Sequence, residues 1–274
     1  MEISEWLVVP TLAVPVDSDA QALMLLQNPN YHAEQKLDGV RLMVCLHDGE
    51  VTGINRRGVP TLVTNRITEA FQYFDGTWAL DGELVKGVFW VFVLPRALSS
   101  VTPRTPYGER RAILEELWPN LLLPDCVRLL PSFTDEVEKL ELVQKLRAAN
   151  CEGVMLKDGN APYPAGLRTR STRKFKFIKD VDCIVIGTNI EGKSNMALGL
   201  MTDDGDIVEV ATITALAGDG MRRVGEVVTV KCLYVSDDNR LVQPTLPKWR
   251  QDKTPDECSF SQLESLKTNK EVQV

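Results

Sequence analysis

Glu34-Gln35-Lys36-Leu37-Asp38-Gly39-Val40-Arg41 sets one lysine between two acids and follows them with a glycine. In an extended strand, residues two apart face the same side. Glu34, Lys36 and Asp38 then share a face, and Leu37 and Val40 pack on the other. Gly39 breaks the strand and lets backbone approach a ligand closely. A lysine between acids reads either as a surface ion-pair ladder or as chemistry. The charges converging beside a turn glycine favour chemistry.

Short apolar runs bounded by Gly, Asn and Asp spread outward from this stretch. They predict strands over 31–36, 40–47, 50–55, 78–85, 88–94, 154–157 and 174–178. Helical spacing predicts helices over 108–117, ended by Pro119, and over 134–149, with Thr134 as N-cap. This is an α+β pattern of antiparallel sheets with flanking helices. Past about Asp180 the texture changes to short strands at 183–187, 199–202, 207–212, 227–233 and 240–242. That spacing suits a small β-barrel of the OB type. The predicted domains are 1–179 and 180–274, with the link at 179–182. A short helix is expected from Pro255 through Leu266, and the last residues are expected to fray.

The chain has 274 residues, 44% hydrophobic and 25% charged, an ordinary globular mixture. No apolar run approaches the roughly 18 residues of a membrane span, and no secretory leader pattern opens the sequence. The six cysteines form no CxxC pair, which points to reduced, buried thiols in a cytoplasmic protein. The net charge of −7 counts against a nucleic-acid partner. Local clustering can override it: Arg168, Arg170, Arg173, Lys174, Lys176 and Lys179 fall in one acid-free run. A solvated face is the ordinary reading of such a run, but Phe175 and Phe177 interleave it.

An amine nucleophile must shed a proton it ordinarily holds up to pH 10 or so, and positive neighbours help. Lys174 and Lys176 alternate at strand spacing, so both can face a phosphate while Phe175 packs behind. Asp81-Gly82-Glu83 reads as the acidic end of a strand at a tight turn. Glu152-Gly153-Val154-Met155-Leu156-Lys157 puts a carboxylate ahead of an apolar strand. Arg250-Gln251-Asp252-Lys253 pairs cations late in the chain.

The ordered set KLDGVR, NRRG (55–58), DGE, WVFVLP (90–95), EGVMLK, KFK (174–176) and RQDK resembles the covalent nucleotidyltransferase superfamily. Within it the chain is most similar to ATP-dependent DNA ligases, short bacteriophage ones above all. The resemblance implies a nucleotidyltransferase (adenylation) domain followed by an OB-fold domain. It implies that Lys36 attacks the α-phosphate of ATP, with Asp38, Lys174 and Lys176 completing the catalytic set. Glu34 would read adenine, Phe92 stack on it, and Glu83 lie near the ribose. Arg41 and Arg56 would contact nucleotide and nick phosphate. Glu83 and Glu152 would bind Mg2+ (or Mn2+), and Arg250, Asp252 and Lys253 would close over ATP. Nicked duplex DNA is the implied partner, met by Arg56, Arg168, Arg170 and Arg173, with a monomer acting in a bacterial or phage-infected cytoplasm.

The chain departs from the family pattern in two places. Asn55 stands where Ser or Thr is frequent. Val93 stands where an acid follows the stacking aromatic, so Phe89 and Trp90 compete with Phe92 for that role. Three rivals share features with this reading. A capping guanylyltransferase usually carries Asp at the place of Glu152, an RNA ligase usually lacks RxDK, and a non-enzymatic OB protein needs no lysine.

Overall fold

The computed structural model describes residues 6–98, 100–188, 194–214 and 224–268. The chain divides into two compact units. The first holds the residues up to Leu146 together with Gly153–Phe175, and the second holds Arg147–Glu152 and the residues from Lys176 onward.

In the first unit the strands are β1 (Leu12–Pro15), β2 (Tyr31–Gln35), β3 (Val40–His47), β4 (Glu50–Asn55), β5 (Pro60–Thr61), β6 (Thr77–Val85), β7 (Val88–Ala97), β8 (Val127–Leu129), β9 (Ser132–Phe133), β10 (Gly153–Asp158) and β11 (Arg168–Lys176). Four helices interrupt them: α1 (Asp19–Gln27), α2 (Asn65–Phe71), α3 (Tyr107–Leu117) and α4 (Glu136–Ala148). α4 begins later than its pattern suggests, because the Asp135 carboxylate accepts from the Val137 and Glu138 amides and takes the capping role expected of Thr134.

The strands form two sheets, ordered β1-β11-β10-β2-β9 and β5-β4-β3-β6-β7-β8. Alternation along β3 divides the burial. Leu42, Val44 and Leu46 join Phe71, Phe89 and Leu114 in one apolar cluster. Met43 and Cys45 join Phe92, Val93, Tyr107 and Tyr163 in another. The four residues 36–39 carry the chain from the first sheet to the second. One expectation fails at this crossing: Val40 is 66% exposed rather than packed. Gly39 is closely packed, since a Cβ there would lie 2.4 Å from the Leu84 carbonyl oxygen.

Asp81-Gly82-Glu83 lies inside β6, not at a turn. Pairing with β7 shifts around Asp81, so that Asp81 opposes Val93 and Gly82 opposes Val91. Phe92 is the extra residue of this bulge, and it turns to the same cluster as Val93.

The second unit carries β12 (Lys179–Thr188), β13 (Asn195–Met201), β14 (Ile207–Thr214), β15 (Val227–Cys232) and β16 (Thr245–Arg250). They form one antiparallel sheet ordered β14-β13-β12-β15-β16, with no pairing between β14 and β16 among the described residues. Val181, Val185, Leu198, Val210 and Val230 fill its core. The expected strand at 240–242 is a single bridge from Leu241 to Val235. The tail helix is two 3-10 segments, Pro255–Glu257 and Phe260–Leu266. The expected fraying falls on residues 269–274, outside the described set. No described helix is long and apolar enough to cross a membrane. All six cysteines are buried free thiols, and burial pushes Cys45 up to about 11.

Candidate functional site

Lys36 is the first residue past β2, and its amide donates to the Gly153 carbonyl at 2.9 Å. β10 therefore runs beside the lysine, and β11 lies on the far edge of β10. Along β11, Lys174 and Lys176 are half-buried while Arg173 and Phe175 are buried, the alternation expected of a strand. Lys36 at the end of β2, Gly153 at the start of β10 and Lys174 on β11 thus follow one another across the same sheet. Asp38 is exposed on the crossing beyond the end of β2.

Two buried carboxylates, Asp81 on β6 and Glu34 on β2, stand one on each sheet of the first unit. Asp81 is 0% exposed. It accepts both Arg41 Nε and Nη2, at 2.6 and 2.7 Å, and the Tyr163 hydroxyl at 2.5 Å. The Thr11 amide donates to that same hydroxyl at 3.0 Å. Burial pulls the Arg41 guanidinium down, but the charge and hydrogen bonds of Asp81 outweigh it and its pKa rises. Glu34 is 1% exposed. Lys157 Nζ donates to its Oε2 at 2.5 Å, the Tyr107 hydroxyl donates to its Oε1, and Arg111 stands at 3.9 Å. Burial lowers Lys157 to about 8 against the opposing pull of Glu34. Burial, then the Glu34 charge, raises Tyr107 well above its ordinary value.

Phe92 joins the two clusters. Arg41 Cζ lies 4.5 Å and Lys157 Nζ 4.2 Å from its ring centroid, both within cation–π range. Phe89 faces the opposite cluster, and Trp90 packs half-buried beside this one. Phe92 is therefore the aromatic that shares the Arg41–Lys157 environment. A small hollow of about 30 Å3 opens here, lined among others by Arg41, Asp81, Phe92, Tyr107, Lys157 and Tyr163. That is room for water rather than for a nucleotide.

The remaining expected residues divide. Glu83 is half-buried on β6 directly across from Arg41. Arg56 is exposed in the turn after β4. Asn55 builds that turn, since its side-chain oxygen accepts the Arg57 and Val59 amides. Arg170 is exposed. Arg168 is exposed too and donates to the Ala13 carbonyl. Arg173 does not face solvent as a DNA contact would. It is buried, donates to Gln21 at 2.5 Å and pairs with Asp17 at 3.4 Å, tying β11 to the start of α1.

In the second unit Glu152 meets Lys176 Nζ at 3.2 Å, and that ammonium also donates to Gln243 at 2.9 Å. Arg250 donates through Nε and Nη2 to both oxygens of Asp252, at 2.9 and 2.8 Å. Lys253 Nζ reaches Asp182 at 2.5 Å. Among the described residues no group of three or more His, Cys, Asp or Glu side chains gathers as a metal-ligand set.

Tyr107, Tyr163, Arg111 and Asp182 were not expected at these places. Tyr107 sits one residue ahead of the predicted helix at Gly108. No spacing links any of the four to Glu34, Asp81 or Arg250, so no sequence signal pointed to them.

No protein-family model matches the chain, and no curated protein matches it in sequence. Solved structures do match. A Lig E DNA ligase is 19% identical with a TM-score of 0.63, the match covering 89% of this chain and 100% of that one. The ligase domain of M. tuberculosis LigD is 19% identical with a TM-score of 0.53, covering 93% and 99%. A mycobacterial DNA ligase D complexed with ATP and MES gives 19% and 0.51 over the same shares. This chain has the fold of the DNA ligases.

Proposed function

We propose that the chain is an ATP-dependent DNA ligase whose nucleophile is Lys36. The observation that supports this reading is the bond from the Lys36 amide to the Gly153 carbonyl, which sets the lysine at the end of β2 beside β10, with the strand of Lys174 next in the same sheet. The fold of the structural neighbours supports it.

In this reading Lys36 Nζ attacks the α-phosphorus of ATP, pyrophosphate leaves, and AMP remains on the lysine. The phosphoramidate then passes AMP to the 5′-phosphate of a DNA nick. The 3′-hydroxyl attacks that activated phosphate and AMP departs. Dividing one condensation into covalent steps is the gain of nucleophilic catalysis. Lys174 and Lys176 stabilise charge on the transferred phosphate. Magnesium is usually held by one or two carboxylates together with substrate phosphates, and Glu83 and Glu152 offer that chemistry. The ion would supply Lewis-acid stabilisation of the phosphate oxygens.

A carboxylate offers about four acceptor positions, so Glu34 keeps capacity for the adenine amine beside its fixed partners. Phe92 is the ring for the base. Arg250 and Lys253 reach the β- and γ-phosphates from a second domain of the OB type, which must withdraw before duplex DNA binds. Asp38 completes the catalytic set, and Arg56, Arg168 and Arg170 contact the DNA backbone.

The test is covalent labelling with α-phosphate-labelled ATP and magnesium, followed by sealing of a nicked duplex. Lys36→Ala is expected to lose the label. Labelling by GTP instead of ATP overturns the ligase reading in favour of capping chemistry. Joining of RNA ends without sealing of nicked DNA overturns the substrate.

A further inference from the structure

Asp182 takes no part in the reaction as written, yet it binds both cations of the 250–253 segment. Its Oδ2 accepts from Lys253 Nζ at 2.5 Å, and its Oδ1 faces Arg250 Nη1 at 3.4 Å. The Thr229 hydroxyl donates to the same Oδ1, and Arg250 Nη1 reaches the Thr229 oxygen at 3.2 Å. Three adjacent strands bring these groups together. Asp182 on β12 is paired directly with Thr229 on β15, and Arg250 ends β16, which pairs with β15.

We infer that Asp182 is a positioning residue that stands in for the phosphate anion, holding Arg250 and Lys253 paired until nucleotide displaces it. The inference rests on the reading that Arg250 and Lys253 meet ATP.

Charge carries the argument. Arg250 and Lys253 are matched by Asp182 and Asp252, so the four side chains sum to zero, and a polyphosphate approaching them meets a neutral group. To engage both cations it must take the place of at least one carboxylate. The two carboxylates differ in how they are held. Asp252 is within two residues of Arg250 and moves with it. Asp182 is fixed in mid-sheet, and its peptide is gripped on both sides by the Gln262 amide, which accepts from its N–H at 3.1 Å and donates to its carbonyl at 3.2 Å. When the cations turn to another anion, Asp182 stays behind with Thr229. Burial pushes the Asp182 carboxyl up, but bonds from Lys253 and Thr229 and the nearby charges hold it below its ordinary value, so it remains a charged competitor. The pairs are only partly buried, and exposed ion pairs are weak enough for a multivalent phosphate to displace.

The experiment measures the rate of self-labelling of the full chain against ATP concentration. Asp182→Asn is expected to lower the KM for ATP by up to about fivefold, the weight of one exposed pair, with the maximal rate unchanged. Pyrophosphate is expected to inhibit that variant at lower concentration. A purely structural Asp182 predicts the opposite sign, so a raised or unchanged KM overturns the inference. If Asp182→Asn does not fold, Asp182→Thr, a residue suited to a strand, gives the same reading. Arg250→Ala separates the two levels. It should raise the KM, and if it does not, the reading of the 250–253 segment fails and this inference with it. If the wild-type chain takes no label from ATP, the proposed function itself fails.

Discussion

The two units handle charge in opposite ways. In the first, Asp81 and Glu34 lie in the interior, each with at least two hydrogen-bond partners on other elements. In the second, Arg250, Asp252 and Lys253 sit in one short surface segment and pair with each other or with Asp182. Removing one member of a buried pair strands the other in low dielectric, whereas an exposed pair yields to water and salt. The first arrangement suits groups that must hold one geometry. The second suits groups that must change partners.

Asp81→Ala puts this contrast to its hardest test. It leaves Arg41 and the Tyr163 hydroxyl without their acceptor, and a loss of about 3 kcal/mol is expected in urea unfolding. A loss below about 1 kcal/mol would mean the interior is as forgiving as the surface. Tyr107→Phe deletes one hydrogen bond to a buried carboxylate and is expected to cost about 2 kcal/mol. A neutral result would show that Lys157 alone holds Glu34.

The Lys157 ammonium gives a third probe. It titrates at about 8 in the fold, below its ordinary 10.5. The unfolded chain then binds more protons between those values, so stability rises with pH across that window and falls as pH drops through 8. Lys157→Met should flatten the slope, and an unchanged slope would assign it to other groups.

On the surface the effects should shrink. Arg250→Ala is expected to leave stability within about 0.5 kcal/mol while raising the KM for ATP about tenfold. A large unfolding effect would move this arginine into the same class as Arg41. The smallest effect belongs to Asp182. Its folded pKa is depressed, so its contribution is complete above the ordinary carboxylate range and fades as pH falls through the folded value. Urea unfolding of Asp182→Asn beside the wild-type chain across the acid range measures it. A loss already seen near neutral pH would exclude Asp182 as its source.

Much of this frame was readable in advance. The strands around Lys36 follow from alternation, and the Lys174–Lys176 spacing set both on one side of β11. Arg173 shares parity with Phe175 rather than with Lys174, and that same rule would have turned it inward. Other elements left a weaker trace. α1 buries only Ala22 and Leu26 and exposes Leu23 and Met24, so it shows no clean apolar stripe. α2 has seven residues, too few for a period to emerge. β16 contains Pro247, which argues against a strand except at a sheet edge, and among the described residues β16 ends its sheet. The partners of Glu34 and Asp81 were unreadable for another reason. Lys157 and Tyr163 lie 123 and 82 residues away, and only the closed fold brings them in.

The crossing at 36–39 bears on entropy. One end is pinned by the bond from the Lys36 amide to Gly153, and the other by the fit of Gly39 against Leu84. The main chain under the lysine therefore loses its freedom when the protein folds, not when a ligand arrives. What remains to be ordered at binding is the side chain, about 2 kcal/mol of rotamer freedom at most. A lysine on a free loop would surrender backbone freedom as well, at about 1–2 kcal/mol for each residue fixed.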